Sequence, residues 1–269
     1  MDARREVLQR AEGRRLFGLD PSGYEAGRPD YPSFVYDNLC AACGLAPGTR
    51  VLEIGPGTGI VTRRLLGAGA RVVAIEPDPS LASYLKETMA GEDLTIVETS
   101  FEEAEIDRAA FDLAVAATSF HWVDQEVGLR KLGQLIRPGG WIAMWWTLFR
   151  DPSHPDSFST AVEELLGPET RGAFDEPDRP PFQLDHEYRE LDLTRWARLE
   201  EVASTLVRWT CVLTPSQARA LYASMATVIR RPVTEQQELL DQLERLATET
   251  FGGRVERNFV TALYTGRRP

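Results

Sequence analysis

Short apolar runs alternate with amphipathic stretches along the first half of the chain. Residues 50–54, 71–75, 94–98, 111–117 and 141–146 each read as a buried strand bounded by Gly, Pro or polar residues. Between them the spacing predicts helices. Residues 59–67 turn Val61 and Leu65 inward and Arg63 and Arg64 outward. The next helix opens at Pro79 or Ser80, carries Leu81, Tyr84, Leu85 and Met89 on one face, and closes at Gly91. A third covers about 125–135, and an earlier one, 33–43, buries Phe34, Val35, Leu39, Ala42 and Cys43. Five strands alternating with helices predict an α/β fold with a parallel sheet and helices on both faces.

The rhythm changes at both ends. Residues 1–32 hold Gly18, Pro21, Gly23, Gly27, Pro29 and Pro32, and are expected to form an N-terminal arm, with the Arg-rich start a solvated helix. Residues 150–204 are rich in Pro and acids, with one clear helix at 157–166. A loop-rich insertion of this kind predicts a lid that carries substrate contacts. Residues 205–269 return to the sheet with strands at 205–213 and 257–265. A helix capped by Thr214-Pro215 runs to about 229, and Thr234-Glu235-Gln236-Gln237 reads as a capping box for another. The central unit is therefore 33–149.

Composition narrows the function classes. A net charge of −11 argues against a protein that tracks phosphates, so nucleic acid is an unexpected partner. Three cysteines suit a reducing, cytoplasmic setting, and Cys40-Ala41-Ala42-Cys43 lies on a helix rather than at the strand-to-helix turn a redox pair uses. No run is long enough for a membrane span. His154 and His186 match no metal-ligand spacing, and no metal site is expected.

The chemistry concentrates where strand 50–54 breaks off into Gly55-Pro56-Gly57-Thr58-Gly59. Glycine there admits positive φ and lets a ligand approach the backbone. The second strand ends on Glu76, placed to accept from a ribose diol. The spacing is G-x-G-x-G, whereas a dinucleotide turn is G-x-G-x-x-G. The fourth strand stops at Thr118-Ser119-Phe120-His121-Trp122, and Arg137-Pro138-Gly139-Gly140 forms a tight turn before the fifth.

These residues together resemble the class I S-adenosylmethionine-dependent methyltransferases. The Tyr24-to-Pro29 opening is similar to that of bacterial small-molecule members related to trans-aconitate methyltransferases. The resemblance implies a doubly wound, Rossmann-like, seven-stranded sheet, mostly parallel with an antiparallel last strand. It implies S-adenosylmethionine as cofactor, lying against Gly55, Gly57, Thr58 and Gly59. Glu53 would hold its ammonium, Glu76 with Pro77 its ribose, Phe101 and Glu102 its adenine, and Thr118 and Ser119 its sulfonium end. Tyr24 and Arg28 would close over it, Arg28 pairing with the carboxylate.

Methyl transfer is an in-line displacement whose rate comes largely from alignment in a dry site. A general base is optional, and His121 is the candidate, set against a ring simply hydrogen-bonded in its loop. Phe120, Trp122, Trp145, Trp146 and Phe149 would line the pocket of a small-molecule acceptor, or pack in the core. The expected reaction is methylation of an O or N atom of a small molecule. A non-catalytic cofactor-binding protein keeps the same fold. An NAD-dependent oxidoreductase would want the other glycine spacing and, in its short-chain form, Tyr-(x)3-Lys, which the chain lacks.

Overall fold

The computed structural model describes residues 17–166 and 179–269. In chain order the elements are α1 (Pro21–Gly27), α2 (Ser33–Ala41), β1 (Arg50–Ile54), α3 (Ile60–Gly67), β2 (Arg71–Ile75), α4 (Pro79–Thr88), β3 (Leu94–Val97) and β4 (Phe111–Ala117). There follow α5 (Gln125–Leu135), β5 (Ile136–Leu148), α6 (Ser157–Leu166), α7 (His186–Arg195), β6 (Glu200–Leu213), α8 (Pro215–Ala223), α9 (Ala226–Ile229), α10 (Val233–Glu249) and β7 (Val255–Arg267). Short 3₁₀ turns occupy Phe17–Leu19, Phe120–Trp122 and Phe182–Leu184.

The seven strands form one sheet in the order β3-β2-β1-β4-β5-β7-β6. Strands β1 to β5 pair in parallel, and β7 runs antiparallel to both β5 and β6. The expected α/β class, strand number and antiparallel last strand are all present. The chain builds outward from β1 through β2 to β3, then returns to place β4 on the other side of β1. That reversal opens a cleft at the C-terminal ends of β1 and β4, where open α/β sheets take ligands.

Side-chain alternation divides the core between the two faces of the sheet. Leu52, Ile54, Ala114, Ile142 and Trp146 pack with Phe120, Leu129 and Leu132 on one face. Val51, Val72, Leu113, Val115 and Trp145 pack with Val35, Leu39, Val61 and Leu65 on the other. A third cluster joins Phe158 of α6, Leu221 and Tyr222 of α8, Leu240 and Leu243 of α10, and Phe259 of β7.

Several local expectations need correction. The Arg137-to-Gly140 turn lies inside β5, which begins at Ile136. Phe111 pairs with Ile136 and Leu113 with Trp141, so the extra residues bulge out of the β4–β5 ladder, with Gly139 at φ 78°. Helix α10 starts one residue before Thr234 and has no side-chain cap: Thr234 lies within its first turn, and Gln237, the other half of the expected box, accepts from Arg219 Nη2 instead. The capping box forms at Thr214, whose hydroxyl accepts from Gln217 N while Gln217 Oε1 accepts from Thr214 N. Within 150–204 the chain forms a second helix, α7, and β6 starts at Glu200. Helix α7 escapes the hydrophobic pattern because its sequence, His-Glu-Tyr-Arg-Glu-Leu-Asp-Leu-Thr-Arg, buries one leucine, Leu193, while Leu191 faces solvent. The Arg-rich start of the arm and the Pro168, Arg171 and Pro177 part of the insertion fall outside the described residues. Among the described residues no helix is long and apolar enough to cross a membrane.

Candidate active site

The cleft at the switch point is a cavity enclosing about 1080 Å³ of open space, its solvent mouth included. Its floor is the glycine turn after β1, with Gly55, Pro56, Gly57 and Thr58. Gly55 has φ 66°, and a Cβ there would lie 2.6 Å from Ser119 Cβ, so the turn can approach the end of β4 only as glycine. Gly57 has φ 59° and nothing within 4 Å of the position a Cβ would take. A side chain there would fill the cavity.

Two acids stand at the strand ends. Glu53 is buried, and its Oε2 accepts from Thr62 Oγ1 at 2.7 Å. Burial pushes its carboxyl up to about 7; the Thr62 hydroxyl opposes this and the nearby Glu76 adds to it. Glu76 closes β2 and accepts from Gly57 N at 3.1 Å and Asp78 N at 3.0 Å. These two bonds tie the glycine turn to the start of α4. Pro77, Ile75, Leu81 and Phe101 complete this apolar side.

The opposite wall comes from β4 and the turn after it, with Ala117, Thr118, Ser119, His121, Trp122 and Val123. Thr118 has φ 52°, a strained conformation for a β-branched residue. Its N–H donates to Trp145 O at 2.7 Å and its Oγ1 accepts from Tyr31 Oη at 3.0 Å. Ser119 Oγ donates to the carbonyl of Ile54. His121 stacks at a tilt on Trp122, 4.7 Å between centroids, and its Nδ1 accepts from Trp146 Nε1 at 3.1 Å. Desolvation lowers the His121 pKa to about 3.

The roof is the N-terminal arm. Tyr24 and Arg28 of the arm, with Tyr31, border the cavity. Glu25 fastens α1 to α3 and α4 by an ion pair with Arg63 and a hydrogen bond from Tyr84 Oη. On the other side Arg28 Nη2 donates to Ser224 O at 2.7 Å, and its guanidinium lies 4.5 Å from the Phe149 ring and 4.9 Å from that of Tyr24. Its Nε is buried without a hydrogen-bond partner, as is Thr58 Oγ1.

The expected residues sort accordingly. Tyr24, Arg28, Glu53, Gly55, Gly57, Thr58, Glu76, Pro77, Phe101, Thr118, Ser119, His121 and Trp122 all border the cavity. Six others do not. Gly59 starts α3 behind the turn and packs against Leu85 and Met89. Glu102 turns aside to accept from Asp124 N. Phe120 is fully buried beside Phe101. Trp145 is buried on the α2–α3 face, edge-on to Tyr31. Trp146 is buried on the opposite face between Phe182 and Tyr264. Phe149 supports Arg28 from beneath and packs edge-on to Phe259. The expected aromatic wall is thus core. No described residue of 150–204 borders the cavity. Tyr31 borders it without having been expected there; its one signal in the sequence is its place beside Asp30 in the Pro-bracketed arm.

Comparison with known proteins agrees with this geometry. A family described as "Methyltransferase domain" matches residues 52–144. An uncharacterized methyltransferase of Geobacillus kaustophilus is 31% identical over 156 residues, 57% of this chain and 67% of the relative. The chain belongs to the class I S-adenosylmethionine-dependent methyltransferases. An uncharacterized methyltransferase of Mycobacterium tuberculosis is 29% identical over 231 residues, 86% of this chain and 84% of that protein. A solved structure of a candidate type II methyltransferase from Anaeromyxobacter dehalogenans superposes with a TM-score of 0.61 at 21% identity, covering 89% of this chain and 97% of the other. The protein is a methyltransferase, and its cofactor is S-adenosylmethionine. The cavity suits that group: its buried acids suit a cationic ligand, and the unpartnered Arg28 Nε suits a carboxylate.

Proposed function

We propose that this enzyme methylates an O or N atom of a small molecule. The observation that carries the reading is the cavity itself. Its walls are mostly apolar, from Ile75, Pro77, Leu81 and Phe101, with a few converging polar groups, the makeup of a small-ligand pocket. Its mouth is narrowed by an arm fastened on two sides, and the chain's net charge of −11 repels polyanions.

The chain's residues divide the work between the two ligands. Glu53 faces the ammonium, Glu76 and Pro77 the ribose, and Phe101 the adenine. Gly55, Gly57 and Thr58 supply a close backbone floor, Thr118 and Ser119 border the reacting end, and Arg28 with Tyr24 closes over the carboxylate. The bound cofactor supplies an electrophilic methyl group on a sulfonium. The protein contributes alignment and exclusion of water, the two effects such a displacement needs most. His121 and Trp122 remain at the acceptor end.

Calorimetric titration with S-adenosylmethionine and with NAD tests the site: only the first should bind, and Glu76→Ala should weaken it strongly. Labelled methyl transfer should then reach a fraction of small organic acids, amines or phenols. Preference for NAD, or label found only on RNA or protein, would refute the reading.

A further inference from the structure

The bond from Trp146 Nε1 to His121 Nδ1 fixes more than the ring's orientation. An indole N–H can only donate, so Nδ1 must present a lone pair. The single proton of a neutral imidazole then sits on Nε2. An imidazolium would set N–H against N–H beside a tryptophan that is 1% exposed. We propose that Trp146 is a positioning residue that holds His121 as the neutral Nε2–H tautomer, so that this ring meets the methyl acceptor as a hydrogen-bond donor. What the ring meets rests on the small-molecule reading above; the tautomer does not.

The surroundings reinforce the lock. Phe182 and Tyr264 meet the Trp146 indole edge-on at 5.7 and 5.9 Å between centroids, holding its plane. Burial raises the Tyr264 phenol far above its ordinary value, so it stays neutral. Behind Phe182, Arg189 lies 3.8 Å from that ring and is ion-paired with Asp192, so this side brings no lone carboxylate to favour an imidazolium. The cavity's carboxylates, Glu53 and Glu76, belong to the cofactor end. The lowered pKa of His121 is the consequence expected of such a setting. The general-base role expected of His121 needs a lone pair on Nε2, which this arrangement denies it. His121 can therefore only donate to the acceptor's lone pair, and a proton on the acceptor's nucleophilic O or N leaves to solvent rather than to this ring.

Nitrogen NMR of the full chain, labelled in histidine, tests the tautomer without any acceptor. The chain has three histidines, and a His121→Asn variant identifies the signal. From about pH 5 to pH 8, across the ordinary histidine range, the His121 signal should show one protonated nitrogen, Nε2, with no titration. Trp146→Phe should release it, giving mixed tautomers and a titration shifted toward neutral pH. A wild-type His121 that titrates near neutrality, or that carries its proton on Nδ1, overturns the proposal even if the variant does not fold. Either result leaves S-adenosylmethionine binding intact, so the two failures are distinguishable.

Discussion

Tyr31 donates to Thr118 Oγ1 at 3.0 Å, and Thr118 holds a φ of 52° at the end of β4. A β-branched residue in that region costs on the order of 1–2 kcal/mol and persists only where its surroundings enforce it. The Tyr31 hydroxyl and the Thr118 N–H to Trp145 O bond supply the enforcement, so the wall of the reacting end is built from the N-terminal arm.

Tyr31→Phe should therefore lower the unfolding free energy by about 1 kcal/mol, the usual worth of such a bond. Thr118→Gly relieves the backbone but orphans the buried Tyr31 hydroxyl. The double variant removes both partners and the strain, and should unfold closer to wild type than the two single losses added together. Urea unfolding of all four proteins gives the coupling directly. Strict additivity would mean the two residues act independently. Cofactor affinity should fall in each variant, because Tyr31 and Thr118 both border the cavity.

Glu53 makes the free enzyme's stability pH-dependent in a definite sense. Its folded pKa is about 7, raised from an ordinary 4.5. The folded state thus holds a proton that the unfolded state releases. The associated stability is complete below about pH 4.5 and fades as pH rises through 7, by about 3 kcal/mol in all. Glu53→Gln should flatten that slope. Thr62→Val should push the carboxyl higher still, since the Thr62 hydroxyl is the group favouring its ionised form. If a cationic cofactor binds the ionised carboxylate, binding near pH 6 must expel a proton. Calorimetry in two buffers of different ionisation heat reads that proton. An absence of proton release at pH 6 would separate Glu53 from the ammonium.

Glu76 is expected to serve both turn and ligand. Glu76→Ala leaves Gly57 N and Asp78 N without their acceptor, at about 1–3 kcal/mol for each group that stays dry. The variant should melt earlier even without cofactor, and cofactor affinity should drop by about tenfold or more, the loss of one good hydrogen bond to a charged group. Unchanged affinity with a lowered melting temperature would confine Glu76 to a structural role.

How far each residue is legible in the sequence depends on where it stands in the fold. Glu53, Gly55, Gly57 and Glu76 can be placed because strand ends are sharp in sequence: an apolar run stops, and the residues just beyond it must sit at the sheet's C-terminal edge. The same logic misplaces the aromatics. Trp145 and Trp146 look like a strand end only if β5 stops at 146, but it runs to Leu148, so alternation sends them to opposite faces of a covered sheet. Phe120 comes after the β4 stop, yet the 3₁₀ turn rotates it into the core while His121 and Trp122 stay at the cavity. Tyr31 depends on contacts across 87 residues of chain, which no local pattern carries. Helix α7 is too polar for its period to show.

The arm offers the sharpest separation of scaffold from site. Gly27 ends α1 against α8, and a Cβ added there would lie 2.2 Å from the Ala220 carbonyl oxygen and 2.7 Å from its carbon. Backbone cannot yield as a flexible side chain does, so Gly27→Ala must lift α1 away from α8. The next residue is Arg28, whose bond to Ser224 O and contact with Phe149 fix the roof on that side. The sheet, the glycine turn and both acids are untouched by the change. Gly27→Ala should therefore leave the global unfolding transition nearly in place, speed amide exchange in α1, and weaken cofactor binding through slack in Arg28 and Tyr24. Arg28→Lys should weaken binding too while leaving α1 protected, since it keeps the charge but loses the planar fork and the ring contacts. Tight cofactor binding by a Gly27→Ala enzyme whose α1 exchanges freely would show that the arm takes no part in holding the ligand.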